Sequence, residues 1–271
     1  MKVRIATCAR LPEPDTDEAP LMAALADAGI DAALVAWDDP RADWAMSIPT
    51  VLRSTWNYAL DPDAFLAWLD RAAGPMINPR DVVHDNIHKR YLVMLASRGV
   101  PVVPTTIVER GGAYVAIDAP RIVVKPEVGC ASFETRVFAP GDPAAAVHVA
   151  RLAATGAVLV QPYVDSVDSY GERSIVWIDG EVTHAIRKTP RFAGDDERIE
   201  GPFPIAADER EVALAALAPY VDRILYGRVD LARDANGRPM VMELELIEPS
   251  LFLARHPPAL DRFIRGLQQR A

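Results

Sequence analysis

Asp230, Glu243 and Glu245 lie within the segment GRVDLARDANGRPMVMELEL, Gly227 to Leu246, at a spacing that suits a hard divalent cation. Asn236-Gly237 is a strong hairpin signal, because both residue types tolerate the positive φ that a two-residue type I′ loop demands. With that loop setting the register, Ala235 faces Arg238, Asp230 stands opposite Glu243, and Arg228 opposite Glu245. Alternation then puts Asp230, Glu243 and Glu245 on one face and Met242, Leu244 and Leu246 on the other. Like charges facing each other across a sheet destabilise it unless something neutralises them. Mg²⁺ bound by carboxylate oxygens would do so, and it is the usual companion of nucleotide phosphates. The alternative is the solvated face of an amphipathic hairpin, and this segment alone leaves both readings open.

Other segments carry groups that suit a nucleotide. IVVKPEVGCASFET, Ile122 to Thr135, reads as a strand ending at Lys125, a loop containing Gly129, and a second strand. Gly129 allows close backbone approach, successive N–H groups in such a loop form an anion nest, and Lys125 would reach phosphate oxygens. No Walker A spacing is present, and an exposed lysine on a hairpin is the competing reading. Lys89, taken alone in HDNIHKRYL, reads as a residue on a solvated helix face. VLVQPYV, Val158 to Val164, runs an apolar strand into Gln161-Pro162, where proline breaks the ladder and leaves edge amides for a purine. GERSIVWIDGEVTHAIRKTP, Gly171 to Pro190, is a second hairpin turning at Asp179-Gly180. The same counting sets Glu172 opposite Arg187 and Ile175 opposite His184. Arg173, Arg187, Lys188 and Arg191 concentrate positive charge there, as a charged phosphate and its metal require. A cross-strand ion pair of modest worth is the plainer account of Glu172 and Arg187. His184 reads as a packed strand residue.

These residues need a frame, and composition bounds it. The chain has 271 residues, 50% hydrophobic and 25% charged, ordinary for a soluble globular protein with a large core. Its net charge of -9 argues against a nucleic-acid partner. The two cysteines, Cys8 and Cys130, have no Cys/His spacing around them, so neither a disulfide framework nor a zinc site is indicated. No apolar run is long enough to span a bilayer and the N-terminus lacks a signal-peptide pattern, so no membrane partner and a cytoplasmic location are expected.

The first third alternates strand and helix: strands at 2–7, 31–37 and 50–53, helices at 19–28 and after Asp61-Pro62, and a short strand to Asn78-Pro79. That pattern predicts an open, mostly parallel sheet, without a GxGxxG dinucleotide fingerprint. A helix is expected from about 86 to 97, closed by Gly99. The middle third is strand-rich, at 102–108, 121–126, 133–138 and 157–164, with a helix at 143–155. Two hairpins joined by a loop and helix follow, then a terminal helix after Pro257-Pro258. Thr189 to Pro204 has no periodicity and reads as a lid-like loop.

The order of these pieces, Lys89, Lys125 with its glycine loop, Gln161, Glu172-Arg173, Arg187, then Asp230…Glu243-x-Glu245, resembles the ATP-grasp superfamily over roughly residues 84 to 252. RSTWNY at 53–58, Asn78-Pro79, GVPVVPT, YGERSIVWIDG, HAIRKTPRF and ELELIEPSLF are similar to the cycloserine-forming cyclo-ligases that act on O-ureido-D-serine. The resemblance implies an α/β fold, α+β in its C-terminal part. It has an N-terminal open α/β substrate-side subdomain (1–84), a central subdomain with a strand-rich ATP lid (85–163) and a C-terminal antiparallel subdomain with the metal site (164–271). It implies that Lys89 and Lys125 hold the phosphates under the Gly129–Ser132 loop. Gln161 and the backbone of Tyr163 and Val164 would bind adenine, with Glu172 on the ribose and Arg173 beside it. Arg187 would stabilise the transferring phosphoryl group, and Asp230, Glu243 and Glu245 would carry two Mg²⁺ ions. Glu245 stands where the family commonly has Asn, with Arg228 opposite to compensate its charge; His84–Asn86 and Asn57 also depart from the pattern.

The expected activity is an ATP- and Mg²⁺-dependent carboxylate–nitrogen ligation through an acyl phosphate, closing an O-ureido-serine-like amino acid into cycloserine. Arg53, Ser54 and Asn57 are the expected substrate-holding residues, since they end a strand where open α/β sheets place ligands. The partner is a small amino-acid-like carboxylate, and a homodimer is the expected assembly. An intermolecular amino-acid or peptide ligase, a small-molecule kinase and a non-catalytic nucleotide-binding protein are the alternatives.

Overall fold

A computed structural model describes residues 1–130, 132–189 and 198–271. Ala131 and the 190–197 stretch, with Arg191 in it, lie outside the described residues. The first unit is β1 (Lys2–Thr7), α1 (Glu18–Asp27), β2 (Asp31–Ala36), β3 (Thr50–Leu52) and α2 (Pro62–Arg71). Its three strands pair in parallel in the order β2-β1-β3, as the alternation of elements predicts. Asp61 caps α2 by accepting from Ala64 N at 3.0 Å with Pro62 in the first turn, and Phe65, Trp68 and Leu69 form its buried stripe.

The connection that follows is α3 (Arg80–Asn86) and α4 (Tyr91–Ser97), two short helices where one long one was expected. The helix breaks because Lys89 N–H bonds to Glu127 O at 3.0 Å instead of continuing the helical ladder. That break takes Lys89 off the solvated helix face that its sequence suggests.

A four-stranded sheet comes next: β4 (Thr106–Val108), β5 (Ile122–Pro126), β6 (Arg136–Phe138), α5 (Pro143–Ala153) and β7 (Val158–Pro162), in the order β4-β7-β5-β6. The strands expected from 102 and 133 begin later; Val102 makes only an isolated bridge to Val241. Val108, Ile122, Val124, Val149, Val158 and Val160 make the core between this sheet and α5.

The third sheet holds β8 (Glu172–Ile178), β9 (Glu181–Lys188), β10 (Ile199–Phe203), β11 (Tyr226–Arg233) and β12 (Pro239–Glu245), ordered β10-β9-β8-β11-β12. α6 (Ala207–Leu217) and α7 (Pro257–Arg270) complete the chain. β10 corrects the reading of 189–204 as loop throughout, because its backbone pairs with β9 at Ile199–Lys188 and Glu200–Arg187. One face of this sheet packs Ile175, Trp177, Val229, Leu231, Leu244 and Leu246 against α4 and α6. The other packs Val176, Ile178, Ile186 and Tyr226 against α1, α7 and β1, which joins the N-terminal sheet to the C-terminal one. Among the described residues no helix is long and apolar enough to cross a membrane.

Both hairpins depart from simple counting. The 234–238 turn is not the expected two-residue loop: Asp234 N–H bonds to Arg238 O at 2.8 Å around a three-residue loop. Asp234 Oδ1 accepts from Asn236 N and Arg238 N, and only Gly237 of that loop has positive φ, 77°. A bulge between Asp230 and Leu231 then restores the expected register, Asp230 opposite Glu243 and Arg228 opposite Glu245. The bulge also turns Met242 to the face of Glu243, not to the core face expected for it. The second hairpin has the expected Asp179-Gly180 loop, both residues at positive φ (43° and 86°), but a register shift after Val176. Glu172 therefore pairs with Lys188, not Arg187, and Ile175 with Ala185, not His184.

His184 is a packed residue, 2% exposed, bonded to Thr183 Oγ1 at 2.9 Å and stacked on His256 at 4.8 Å. Burial and the neighbouring His256 push its pKa down to about 4. The folded state therefore binds fewer protons than the unfolded state below pH 6.5, and this contribution to stability is lost as pH falls from 6.5 through 4. Comparing urea unfolding of His184→Gln with the wild type at pH 4.5 and 7.0 should show a shallower acid loss in the variant, by up to about 3 kcal/mol. Equal losses would show that His184 is not a source of the acid sensitivity.

Candidate active site

A cavity of about 620 Å³ lies between the four-stranded sheet and the polar end of the five-stranded sheet. Strand alternation and the two bulges select what faces it. Glu172, Lys188, Arg228, Glu243 and Glu245 project from one sheet, and Lys125 and Gln161 from the other. Asp230 lies beneath them, 1% exposed. One carboxylate oxygen from each of Asp230, Glu243 and Glu245 comes within 4.8 Å of the others. That all-oxygen donor set fits Mg²⁺.

The acidic trio is neutralised by cations from separate elements. Lys125 Nζ donates to Glu243 Oε1 at 2.8 Å, and Lys89 Nζ stands 3.8 Å from the same oxygen. Lys188 Nζ lies 3.0 Å from Asp230 Oδ2 and also pairs with Glu172. Arg228 bridges Asp230 at 2.8 Å and Glu245 at 2.6 Å. Four carboxylates thus meet four cations in a desolvated cluster.

Charge states follow from that balance. Burial favours a neutral Asp230, but Arg228 and Lys188 outweigh it and hold the carboxyl far below its ordinary range. Burial is likewise opposed at Glu243 by Lys125 and Lys89, which bring it down to about 2. At Glu172 burial wins over Lys188, with Asp230 and Glu243 adding repulsion, and the pKa rises to about 8. At Glu245 burial and the charges of Asp230 and Glu243 prevail over Arg228, giving about 7. Two acids are firmly ionised and two are poised near neutrality, a division expected of a site awaiting further positive charge.

The expected nucleotide residues are largely brought together. Lys89, Lys125, Gly129, Ser132, Gln161, Tyr163, Val164 and Glu172 all line the cavity. Lys89 Nζ donates to Gly129 O at 2.6 Å, tying the glycine loop to the lysine. Tyr163 N–H is taken by Arg121 O at 2.9 Å, so it does not offer the edge donor expected of it. Arg173 and Arg187 do not line the cavity. Both lie on the α6 side of the sheet: Arg173 bonds Glu209 at 3.2 Å and Pro204 O at 2.9 Å, and Arg187 pairs with Glu200. For Arg187 the register shift after Val176 causes this, since one residue of slip exchanges it for Lys188; Arg173 alternates with the cavity-facing Glu172 on β8.

The expected substrate residues are displaced too. Arg53 is 2% exposed and bonds Pro249 O at 2.8 Å, with Asp17 at 3.4 Å. Ser54 is buried against Thr7 Oγ1 at 2.9 Å. Asn57 joins Trp37 Nε1 (2.6 Å) to Asp38 Oδ2 (2.7 Å) on a separate groove. From the RSTWNY motif it is Trp56 that lines the cavity, with the buried Tyr58 beside the cavity-lining Glu248. Sequence reasoning missed Trp56 and Glu248 as site residues and took Lys188 only as one of a cluster of positive charges. RSTWNY, IRKTP and ELELIEPSLF contained them, but a one-residue uncertainty in register hid which residues of each motif face inward.

Residues 3–78 match the family described as D-cycloserine synthetase DcsG, N-terminal domain. The chain is 38% identical to the cycloserine biosynthesis protein DcsG of Streptomyces lavendulae, over 94% of each. It superposes on the crystal structure of D-cycloserine synthetase DcsG with a TM-score of 0.91 at 36% identity, covering 100% of this chain and 99% of that one. A RimK domain ATP-grasp protein from Sphaerobacter thermophilus shares the fold, with a TM-score of 0.68 at 18% identity and coverage of 98% and 99%.

Replacing Arg228 by Met should lower the stability of the ligand-free protein by about 3–5 kcal/mol, because it strips a cation from buried carboxylates. Arg187→Ala should leave the urea midpoint nearly unchanged, because its pair with Glu200 is screened by solvent. Equal midpoints for Arg228→Met and wild type would contradict the neutralisation described for this cluster.

Proposed function

The chain belongs to the D-cycloserine synthetase family of ATP-grasp ligases, and from that premise we propose that it closes an O-ureido-serine-like amino acid into cycloserine at the expense of ATP. The observation that carries this reading is the trio Asp230, Glu243 and Glu245, gathered within 4.8 Å and flanked by Lys89, Lys125, Lys188 and Arg228 on one cavity. In this reading Lys89 and Lys125 exchange their hold on Glu243 for the nucleotide phosphates, under the loop that begins at Gly129. Gln161 and Val164 meet the adenine edge and Glu172 the ribose. Asp230, Glu243 and Glu245 would hold two Mg²⁺ ions, whose positive charge offsets that developing on the phosphoryl oxygens.

The substrate carboxylate attacks the γ-phosphate to give an acyl phosphate and ADP. Arg228 and Lys188, whose charges reach the cavity, take the role first assigned to Arg187 and stabilise the transferring group. A nitrogen of the same molecule then displaces phosphate. Capture within one molecule gains the effective concentration of an intramolecular step, and the enclosing sheets keep water from the acyl phosphate. Arg53 acts as a support for the 247–253 segment, and a homodimer belongs to the same proposal.

The test is ADP release from ATP and Mg²⁺ with O-ureido-serine of each hand, followed by mass analysis of the product. One cyclic product per ADP is expected, and Asp230→Asn and Lys125→Met should each lower the rate by at least about 10²-fold. A stable phosphorylated product would establish a kinase instead, and a product joining two amino acids would establish an intermolecular ligase.

A further inference from the structure

The mechanism above gives no role to Glu248, a buried carboxylate on the cavity itself. Glu248 is 5% exposed and lines the active-site cavity three residues beyond the metal trio. Its surroundings are defined: the Tyr58 hydroxyl stands beside its carboxylate, and Trp56 Nε1 donates to its backbone carbonyl at 3.1 Å. Cys130 Sγ in turn donates to Trp56 O at 2.9 Å, fixing the wall beside it. The other buried carboxylates each have a cation: Asp17 has Arg53, Glu127 has Arg90, Glu209 has Arg173, and Asp230 has Arg228 and Lys188. Among the described residues no cationic side chain forms an ion pair with Glu248. The cations whose fields reach it, Arg228, Lys89 and Arg53, are held by Asp230 and Glu245, by Gly129 O, and by Asp17 and Pro249 O.

Among the described residues Glu248 is thus a desolvated carboxylate with no ion-paired cation, an unfavourable arrangement unless a ligand completes it. Burial accordingly pushes the Glu248 carboxyl above its ordinary range. The phosphate end of the cavity offers cations to anions. Glu248, on the same lining with Trp56 beside it, offers negative charge and an aromatic wall to a cation. An amino acid whose carboxylate is activated at the first end carries its own cation, the α-ammonium, one carbon away.

We propose that Glu248 is a specificity-determining residue that receives the α-ammonium group of the amino-acid substrate, with Tyr58 orienting its carboxylate. The inference rests on the amino-acid ligase reading above and deepens it. The ammonium–carboxylate pair fixes the substrate's α-carbon, so that its carboxylate points to the phosphates and the nitrogen-bearing arm folds back within the cavity.

The experiment compares the amino-acid substrate with an analogue carrying hydrogen in place of the α-ammonium, in wild type and in Glu248→Gln, by ADP release. Wild type should prefer the ammonium-bearing compound on the order of 10²-fold in kcat/KM, the discrimination expected of a buried charge pair. Glu248→Gln should raise KM for the amino acid by a similar factor, leave KM for ATP within about 3-fold, and reduce the preference to less than about 3-fold. A merely structural role would not abolish that preference. Tyr58→Phe, which keeps the carboxylate but frees it to turn, should show an intermediate rise in KM and serves if Glu248→Gln fails to fold. Retained discrimination in Glu248→Gln overturns the assignment, as does an unchanged KM for the amino acid in Tyr58→Phe, or a fall in kcat at unchanged KM, which would mark Glu248 as a proton-transfer group. Wild type that releases ADP without dependence on any amino acid overturns the ligase reading, and this inference with it.

Discussion

Mutual repulsion among Asp230, Glu243 and Glu245 is the constraint around which this molecule is organised. Unit charges 4.8 Å apart, as on ionised Asp230 and Glu243, repel by about 3 kcal/mol at an effective dielectric near 20, a large fraction of the net stability of an ordinary domain. Glu245 adds to this as it ionises. The β11–β12 hairpin cannot meet that demand alone. Its own Arg228 neutralises part of it, and the rest comes from Lys188 at the end of β9, Lys125 on the four-stranded sheet, and Lys89 in the break between α3 and α4. The ion pair between Lys125 and Glu243, which ties the four-stranded sheet to the five-stranded one, is therefore also part of the site. Nucleotide and metal entering together would exchange partners within the cluster, phosphates taking the lysines and metal taking the carboxylates. Such an exchange keeps the local charge balanced throughout.

Edge strand β12 carries Glu243 and Glu245 and pairs with β11 on one side only, so its other side must be held by other groups. Asn86 does this with both ends of its amide, donating to Leu244 O at 2.9 Å and accepting from Leu246 N at 2.8 Å. Asn78 donates to Leu246 O and Tyr226 O and accepts from Leu225 N, tying β11 to the strand's exit. Past that exit, Asp17 accepts from Leu251 N and Leu253 N, and Arg53 holds Pro249 O. The N-terminal sheet thereby acts on the site through backbone positions more than through side chains of its own in the cavity. Rigid support of this kind is what a constellation of mutually repelling groups requires.

The hairpins show what was legible in the sequence and what was not. Asn236-Gly237 and Asp179-Gly180 both marked turns, and the alternation around them assigned the carboxylate face correctly. The 234–238 loop has three residues where two were expected, yet a bulge at Asp230 cancelled the slip and left Asp230 opposite Glu243. At Asp179-Gly180 the turn was right, yet a bulge beyond Val176 introduced a slip and replaced Arg187 by Lys188 in the site. A bulge leaves little trace in residue type, because it depends on how a strand must bend to meet elements distant in sequence. The same limit explains Arg53 and Ser54, which sit in a recognisable motif but turn into the core, while Trp56 reaches the cavity. Parallel strands, capped helices and the ligand-rich hairpins follow from local chemistry; which of two adjacent polar residues faces the site does not.

The most direct test of the central claim is a calorimetric titration of Mn²⁺, standing in for Mg²⁺, into the protein with and without a non-hydrolysable ATP analogue. If the carboxylates are occupied by lysines until phosphates draw those lysines away, metal binding should tighten at least about tenfold when the analogue is present, with the reciprocal effect on analogue affinity. That tightening should vanish in Glu243→Gln. Metal affinity that is the same with and without the analogue, or that survives Glu243→Gln, would contradict the account.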